Sequence, residues 1–319
     1  MALTKDRQGL TVVVTGASSG FGRGIAQKLA ADGANVVLAA RRTKLIDELA
    51  IELGGRALAV TTDVSSEEDI ARLMAAAESR FGKVDVWINN AGLGIMGSFT
   101  DIPLNDMLRL VDINLKGMIY GSHHALRHFK ENGSGTLINM SSFISSVPLP
   151  FGAVYCATKY GIAGLTAGLH LEMELEGRKD IHVCMVHPWV TDTPWPEHSG
   201  NYSGHEITLG PVDDPETVID AVIGLIDQPQ ESVEIGSKSK AAILSKHLIP
   251  VGTEKLNGIL LQEMLKSAPS AEKTSGSIHS PRFEGTQVSG NMRNRLKQQI
   301  GKGNSSKDRF TDGRNNHGK

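Results

Sequence analysis

The stretch TVVVTGASSGFGRGIAQKLAADG, residues 11–33, decides the fold class. A run of β-branched apolar residues leads into a glycine-rich turn, after which apolar residues recur every three or four positions, as in an amphipathic helix. Gly16, Gly20 and Gly22 allow a tight turn and let backbone N–H groups approach a pyrophosphate at the positive N-terminus of the helix. The stretch predicts a strand, a turn and a helix that bind a dinucleotide; a small-residue turn without a ligand is the alternative.

Apolar, strand-like runs alternate with helical patterns up to about residue 236. The runs are TVVVTG, NVVLAA, ALAVTTDV, VDVWINNAG, GTLINMSS, IHVCMVHP and SVEIGS. Their near-continuous Val, Ile and Leu content suits strands that are covered on both faces. The repeated order of strand and helix predicts an α/β fold, with a Rossmann-like, doubly wound parallel sheet of about seven strands in a single domain, residues 1–240.

The remaining residues divide into two parts. Residues 241–268 carry apolar side chains on a helical stripe, and we expect this segment to cover a pocket, to pack in an oligomer or, as the third-ranked alternative, to touch a membrane surface. Residues 269–319 contain ten Lys and Arg residues against four Asp and Glu, and few large apolar residues. Such a composition cannot offset its ordering entropy, so we expect a basic, disordered C-terminal extension; without interleaved aromatic residues, nucleic-acid binding is not expected.

The composition is ordinary for a globular protein of 319 residues, with 40% hydrophobic and 21% charged residues. Two cysteines are too few for a disulfide framework, and Lys5, Asp6 and Arg7 interrupt any apolar leader. We therefore expect a cytoplasmic location. The segment HHALRH, residues 123–128, lacks further metal ligands nearby in the sequence, so no metal site is expected.

Polar and glycine residues directly follow the predicted strands, at the edge where parallel sheets of this kind bind ligands. A series of these motifs resembles, in order, the motifs of the short-chain dehydrogenase/reductase family. They are the Gly-x-x-x-Gly-x-Gly turn, NNAG at residues 89–92, Asn114 in VDINLKG, Ser142, the pair Tyr155 and Lys159, and the segment Pro188 to Thr193. The resemblance covers about residues 8–240, roughly three quarters of the chain.

Two arginines, Arg41 and Arg42, follow the second predicted strand, where NAD-dependent enzymes usually carry an acidic residue. No carboxylate stands there to repel a phosphate, and a guanidinium binds phosphate in a forked, charge-assisted geometry. We therefore predict that NADP(H) is preferred over NAD(H). Two solvated surface arginines are the alternative.

The family resemblance implies further cofactor contacts. Asp63 and Val64 would flank the adenine, and Val190 and Thr193 would meet the nicotinamide end. The implied cofactor residues are Thr15, Gly16, Ser18, Ser19, Gly20, Phe21, Gly22, Arg41, Arg42, Asp63, Val64, Asn90, Ala91, Gly92, Tyr155, Lys159, Pro188, Val190 and Thr193. Trp189 departs from the family pattern, which has glycine at this position, and brings a bulky indole to the nicotinamide side of the pocket.

Tyr155 and Lys159 lie one turn apart on the same face of a predicted helix, whereas Tyr160 points about 100° away from Lys159. A free tyrosine titrates at about pH 10, and a neighbouring ammonium lowers the pKa of the phenol by favouring the anion. Tyr155 is therefore the candidate general acid/base. The resemblance implies that Lys159 also hydrogen-bonds the nicotinamide ribose and that Asn114 holds a water that links Lys159 to solvent.

Two serines, Ser141 and Ser142, end the fifth predicted strand. Because successive residues of a strand point to opposite faces, the sequence alone does not show which serine faces a ligand. The resemblance selects Ser142, thirteen positions before Tyr155, as the residue that holds the substrate oxygen.

The sequence thus predicts an NADP(H)-dependent oxidoreductase that interconverts a secondary alcohol and a ketone, or a primary alcohol and an aldehyde, with Tyr155 as general acid/base. Phe143, Trp189 and Trp195 favour a hydrophobic substrate. A catalytically silent NADP(H)-binding regulator or scaffold with the same fold is the alternative. The family resemblance, together with small residues on the Tyr155 helix, predicts a homodimer or homotetramer.

Overall fold

The computed structural model describes residues 6–207, 210–248, 258–259, 262–263 and 265–293. The strands are β1 (Thr11–Thr15), β2 (Asn35–Ala40), β3 (Ala57–Thr61), β4 (Val86–Asn89), β5 (Ile95–Met96), β6 (Gly135–Met140), β7 (Ile181–Pro188), β8 (Gly200–Asn201) and β9 (Ser232–Ile235). The helices are α1 (Gly20–Ala31), α2 (Thr43–Leu53), α3 (Glu67–Phe81), α4 (Leu104–Val111), α5 (Gly117–Asn132), α6 (Ala153–Leu175), α7 (Trp195–His198), α8 (Pro215–Asp227) and α9 (Ser237–Leu248).

Seven strands form one parallel sheet in the order β3-β2-β1-β4-β6-β7-β9. Val13 of β1 is level with Val37 of β2 on one side and with Trp87 of β4 on the other. Each of the seven predicted apolar runs supplies one of these strands, so the predicted Rossmann-like sheet is confirmed. The strand order reverses beside β1, and a crevice for ligands opens there at the carboxyl ends of the strands.

Alternation along the strands sends side chains into two apolar layers, one on each face of the sheet. Val12 and Val14 belong to the layer that contains the buried faces of α1, α2 and α8. Val13 belongs to the opposite layer, with the buried faces of α3 and α5. Because burial of one such aliphatic side chain stabilises the fold by about 1.5–3 kcal/mol, the two layers hold the sheet edge and its loops in place.

A C-terminal strap, residues 270–293, lies against the body of the protein. Isolated β-bridges join Ser270 to His205 and Thr274 to Asn201. This part of the extension differs from the predicted disorder, because main-chain groups and the buried Ile278 side chain find partners on the body that composition does not reveal. The division of the chain after residues 240 and 268 stays a prediction.

Residues 294–319 of the extension predicted to be disordered lie outside the described residues. So do residues 249–257 of the segment for which pocket cover, oligomer packing and, third, membrane contact are the alternatives. Among the helices that the structure describes, none has the length and apolar character needed to cross a membrane.

Candidate active site

The glycine-rich turn between β1 and α1 packs against the NNAG segment that follows β4. The Thr15 hydroxyl accepts hydrogen bonds from the main-chain N–H groups of Asn90 (3.0 Å) and Ala91 (3.1 Å). Gly16 has a φ of +70°, and a Cβ there would lie 2.9 Å from the Cα of Ala91. A Cβ on Gly22 would lie 2.3 Å from the Gly16 carbonyl oxygen. Glycine is therefore required at both positions, and Thr15 and Asn90 hold the turn in shape.

A cavity of about 300 Å³ runs along the carboxyl ends of the strands. The predicted cofactor residues that line it are Gly16, Ser18, Ser19, Gly20, Phe21, Arg41, Arg42, Asp63, Val64, Asn90, Ala91, Gly92, Tyr155, Pro188, Val190 and Thr193. Ser142 lines it as well, whereas Thr15, Gly22, Asn114 and Lys159 lie outside the lining. The structure therefore brings most of the predicted site residues to one cavity, of a size typical of ligand pockets.

The two guanidinium groups of Arg41 and Arg42 border this cavity. Within the described residues, both donate to neutral oxygen atoms, and Arg42 also lies beside the His198 ring, at 3.3 Å. The Asp63 carboxylate pairs instead with Arg109 at 2.5 Å. Burial, reinforced by the charge of Arg41, lowers the pKa of Arg42 to about 10. A buried cation such as Arg42 that has no carboxylate partner among the described residues is costly, and it favours an anionic ligand at this end of the cavity.

Tyr155 and Lys159 meet on one face of α6, as their spacing predicts. The Lys159 Nζ atom lies 5.8 Å from the centre of the Tyr155 ring and donates to the Met140 carbonyl at 2.8 Å. Burial raises the pKa of Tyr155 above its usual value, although a hydrogen bond with Ser142 opposes the shift. Burial also lowers the pKa of Lys159 to about 8. The expected lowering of the Tyr155 pKa is therefore not found, because loss of solvent around the phenol is the largest cause of its shift.

The two serines that follow β6 both line the cavity, but their hydroxyl groups have different partners. The Ser141 hydroxyl is buried and donates to the main-chain carbonyl of Lys159 at 3.4 Å. The Ser142 hydroxyl interacts with the Tyr155 side chain. Geometry thus places Ser142, and not Ser141, beside the candidate acid/base.

A buried histidine, His187, supports the Ser142 loop and was missed by the sequence reasoning. Its Nδ1 atom lies 2.9 Å from the Ser145 hydroxyl and 3.1 Å from the Ser142 carbonyl oxygen. Its Nε2 atom lies 3.1 Å from the hydroxyl of Ser232 on β9. A single histidine within an apolar strand has no spacing pattern that would have revealed this role.

The side chain of Asn114 joins two main-chain segments behind the cavity. It lies in a π-helical turn, Asp112–Lys116, between α4 and α5, a type of turn that is frequent at functional sites. Its amide oxygen accepts from the Leu93 N–H and its amide nitrogen donates to the Leu93 carbonyl, both at 2.9 Å. A Cβ on Gly92 would lie 3.5 Å from the Asn114 oxygen and 3.9 Å from Lys159 Nζ, so Asn114 is near the ammonium group.

Aromatic rings form one wall of the cavity. The Trp189 ring lies 4.3 Å from that of Phe143, and its Nε1 donates to the Pro211 carbonyl at 2.8 Å. The Trp195 ring lies 5.2 Å from that of Tyr155. The indole that departs from the family pattern is therefore part of an apolar surface that reaches the candidate acid/base.

Two of the three histidines on α5 pair with separate glutamates, His124 with Glu67 and His128 with Glu78, each at 2.8 Å. No cluster of three or more His, Cys, Asp or Glu side chains suited to a metal ion occurs in the part of the chain that the structure describes.

The sequence and the structure were compared with those of known proteins. The family described as "short chain dehydrogenase" matches residues 10–201. The chain therefore belongs to the short-chain dehydrogenase/reductase family and is an oxidoreductase. The "Uncharacterized oxidoreductase YxnA" of Bacillus subtilis (strain 168) is 34% identical over 272 residues, which cover 83% of this chain and 74% of that protein.

Two solved structures are similar to this one. A 3-ketoacyl-(acyl-carrier-protein) reductase from Brucella melitensis, complexed with NADH, is 30% identical with a TM-score of 0.63, over 73% of this chain and 99% of that chain. An alcohol dehydrogenase from Thermococcus sibiricus, complexed with 5-hydroxy-NADP, is 26% identical with a TM-score of 0.61, over 71% and 95%. These complexes agree with a family that uses NAD(P)(H), and they do not distinguish between the two cofactors.

Proposed function

We propose that this protein is an NADP(H)-dependent oxidoreductase that interconverts an alcohol and a ketone or aldehyde, with Tyr155 as the general acid/base. One observation carries the proposal: a single cavity joins the pair Arg41 and Arg42 to Tyr155 and Ser142. The arginines favour a phosphate at one end, and the phenol and hydroxyl provide hydrogen-bonding groups at the other.

The residues of the cavity fit NADP(H). The positively charged groups of Arg41 and Arg42 suit the 2′-phosphate, whereas an NAD-specific site would place a carboxylate there. The glycine-rich turn lines the cavity and brings the positive N-terminus of α1 to it, where a pyrophosphate would be favoured. When bound, the cofactor supplies or accepts the hydride.

Tyr155 is suited to donate the proton in carbonyl reduction. Its raised pKa keeps the phenol protonated at neutral pH, so it can pass the Oη proton to the substrate oxygen. Ser142 would hold that oxygen and stabilise its developing negative charge. Lys159 would stabilise the phenolate that remains, and Asn114 would hold a water on the route by which the proton is replaced.

The substrate that fits this cavity is a hydrophobic ketone or alcohol. Trp195 lies beside Tyr155, and Phe143 and Trp189 line the same cavity; such aromatic surface favours apolar ligands with one polar group. The two similar structures are named as a ketoacyl reductase and an alcohol dehydrogenase, which supports a carbonyl or hydroxyl as the reacting group.

A cofactor-coupled screen tests this function. The full-length protein is mixed with NADPH or NADH and a panel of aldehydes, apolar ketones, steroids and acyl-carrier ketones, and loss of cofactor absorbance is followed with product analysis. We expect turnover with NADPH on at least one apolar carbonyl. Tight NADPH binding, with no substrate turned over faster than by Tyr155→Phe, would instead favour the silent regulator.

We further propose a cytoplasmic homodimer or homotetramer. The apolar side chains Leu171 and Leu175 on α6 are 55% and 89% exposed, which is unfavourable unless another surface covers them. Light scattering should give a particle mass two or four times that of the chain, and the Leu175→Glu variant should have a lower particle mass.

A further inference from the structure

We infer that the C-terminal strap is a wall of the cofactor pocket, with Arg42 as the residue that positions it and Arg41 as the residue that binds the 2′-phosphate. The inference rests on the proposed use of NADP(H). It assigns different roles to two arginines that are neighbours in the sequence.

The strap lines the same cavity as the candidate catalytic residues. Ser277, Pro281 and Met292 border it together with the glycine-rich turn and Tyr155. The main-chain N–H of Gly20, the first residue of α1, donates to the carbonyl of Gln287 on the strap at 3.0 Å. The strap is therefore joined to the glycine-rich end of the cavity and borders the space that a dinucleotide along the sheet edge would occupy.

Two buried carboxylates hold the strap on the body. Asp106 of α4 lies 2.8 Å from the His279 ring, and Asp192 accepts from the Met292 N–H at 2.6 Å and from the Ser289 hydroxyl at 3.1 Å. Asp106 and Asp192 are only 6% and 5% exposed. Hydrogen bonds to a buried carboxylate are among the stronger ones in proteins, so these contacts place the strap in a defined position.

Glycines let the strap approach the loop after β7 very closely. A Cβ on Gly290 would lie 2.2 Å from the Thr193 carbonyl oxygen, and one on Gly276 would lie 2.4 Å from the Ser199 carbonyl oxygen. Neither position tolerates a side chain unless the strap or the loop moves. The strap therefore packs directly on the segment that carries the nicotinamide-side residues of the pocket.

Arg42 joins the glycine-rich turn to the strap. Its Nε donates to the Ser18 hydroxyl at 3.0 Å and its Nη2 donates to the Ser19 hydroxyl at 2.6 Å. Its Nη1 faces three strap carbonyls, those of Arg282 (3.5 Å), Glu284 (3.1 Å) and Gly285 (3.4 Å). A guanidinium has five N–H donors, and turn and strap together engage all three nitrogen atoms of this one. Arg42 is thus a positioning residue.

Arg41 keeps donor capacity for a ligand. Its Nη2 donates to the Ser277 carbonyl at 2.5 Å and its Nη1 to the Ile278 carbonyl at 3.2 Å, while its Nε forms no hydrogen bond with a described residue. Two of five donors are therefore engaged, and the strap carbonyls orient the guanidinium without neutralising its charge. Arg41 is also the less buried of the two arginines.

The two roles predict different effects on cofactor binding. Arg41→Ala should weaken NADPH binding roughly tenfold to a hundredfold more than NADH binding, the usual range for loss of a hydrogen bond to a charged group. Arg42→Ala should weaken NADPH and NADH by similar factors, because it releases a wall that both cofactors contact.

The experiment uses the full chain and its variants Arg41→Ala, Arg42→Ala and Gly290→Ala. Gly290→Ala loosens the strap without touching either arginine, which guards against misfolding of the buried Arg42 variant. Gly224→Ala on α8 is the matched control, because a Cβ there meets no atom within 4 Å. Kd values for NADPH and NADH come from fluorescence titration, and amide hydrogen exchange of residues 274–293 is measured without cofactor.

We expect faster exchange of the strap amides in Arg42→Ala and Gly290→Ala, but not in Gly224→Ala, together with several-fold weaker binding of both cofactors. Tighter NADPH binding by Gly290→Ala would overturn the inference, because the strap would then compete with the cofactor. Equal exchange of the strap amides in all proteins would overturn it too. If the unmodified chain binds neither cofactor, the proposed function and the role of Arg41 both fail, whereas the exchange data still decide whether Arg42 holds the strap.

Discussion

The ammonium group of Lys159 lies 5.8 Å from the centre of the Tyr155 ring; Lys159 is buried, and Tyr155 is half-buried at the wall of the cavity. Helix α6 supplies the spacing of the pair, and strand β6 supplies the Met140 carbonyl that receives the Lys159 hydrogen bond. The pKa of the phenol is raised and that of the ammonium is lowered to about 8, both because of burial. Proton transfer at this site should therefore depend on pH at mildly alkaline values.

Carbonyl reduction should slow as pH rises through about 8, the pKa of Lys159. Below this value Lys159 is charged and stabilises the phenolate that forms when Tyr155 gives up its proton; above it the charge is lost. The measurement is kcat/KM for the carbonyl substrate at saturating NADPH, as a function of pH. Lys159→Arg, if active, should move the falling limb to higher pH, whereas Lys44→Arg at an exposed position should not. An unchanged profile in Lys159→Arg would contradict the assignment.

Replacing Lys159 by methionine should stabilise the fold at pH 7. The pKa of Lys159 is about 8 in the folded protein and 10.5 in the unfolded chain, so the unfolded chain holds the ammonium proton more tightly. Lys159 therefore destabilises the fold at pH 7, and this penalty disappears as pH rises from about 8 to 10.5. Lys159→Met removes a buried charge, so we expect the free energy of unfolding to increase by about 1–3 kcal/mol at pH 7. Urea unfolding of Lys159→Met and of the unmodified protein, at pH 7 and above pH 10, tests this prediction. The gain in the free energy of unfolding should be smaller at the higher pH. A lower free energy of unfolding for Lys159→Met at pH 7 would contradict the prediction.

The two serines after β6 should differ in their effect on catalysis. Ser142→Ala should lower kcat by about 100-fold to 1000-fold, because the hydroxyl beside Tyr155 no longer holds the substrate oxygen. Ser141→Ala removes only a 3.4 Å hydrogen bond to the Lys159 carbonyl, so its effect on kcat should be small. Steady-state measurement of kcat for the two variants, at saturating NADPH, shows which serine acts in catalysis. A larger loss of kcat in Ser141→Ala than in Ser142→Ala would contradict the role given to Ser142.

The Trp195 indole should contribute to substrate affinity more than to cofactor affinity. Its ring lies 5.2 Å from the Tyr155 ring, where an apolar part of the substrate would pack. Trp195→Ala should raise KM for an apolar ketone by roughly tenfold, and Trp195→Phe, which keeps an aromatic wall, should raise it much less. NADPH Kd, measured by titration, should change little in either variant. A large loss of NADPH affinity with unchanged KM would place the indole in the cofactor site.

Much of the fold could be predicted because buried parallel strands are near-continuous apolar runs, and the seven runs are separated by helical patterns. The position of Tyr155 relative to Lys159 could be predicted as well, since helical spacing alone puts them on one face. The choice of Ser142 over Ser141 needed the family resemblance, because both serines follow the same strand and only the folded contacts separate them.

Two features of the site could not be predicted for physical reasons. The direction of the Tyr155 pKa shift depends on burial, whereas the sequence shows only that an ammonium is near. The strap was missed because Arg41 and Arg42 contact main-chain carbonyls of residues 277–285, and every residue carries a carbonyl whatever its side chain. Its composition therefore resembles that of a disordered segment.

The central claim is that Tyr155 transfers the proton in an NADPH-dependent reaction, and a comparison of Tyr155→Phe with Tyr160→Phe tests it most directly. Both variants lose one phenolic hydroxyl on α6, but Tyr160 is 42% exposed and lies away from the cavity lining. With a carbonyl substrate and saturating NADPH, we expect kcat to fall by about 100-fold to 10,000-fold in Tyr155→Phe and to be retained in Tyr160→Phe, with the NADPH Kd unchanged in Tyr160→Phe. Full turnover by Tyr155→Phe would contradict the account.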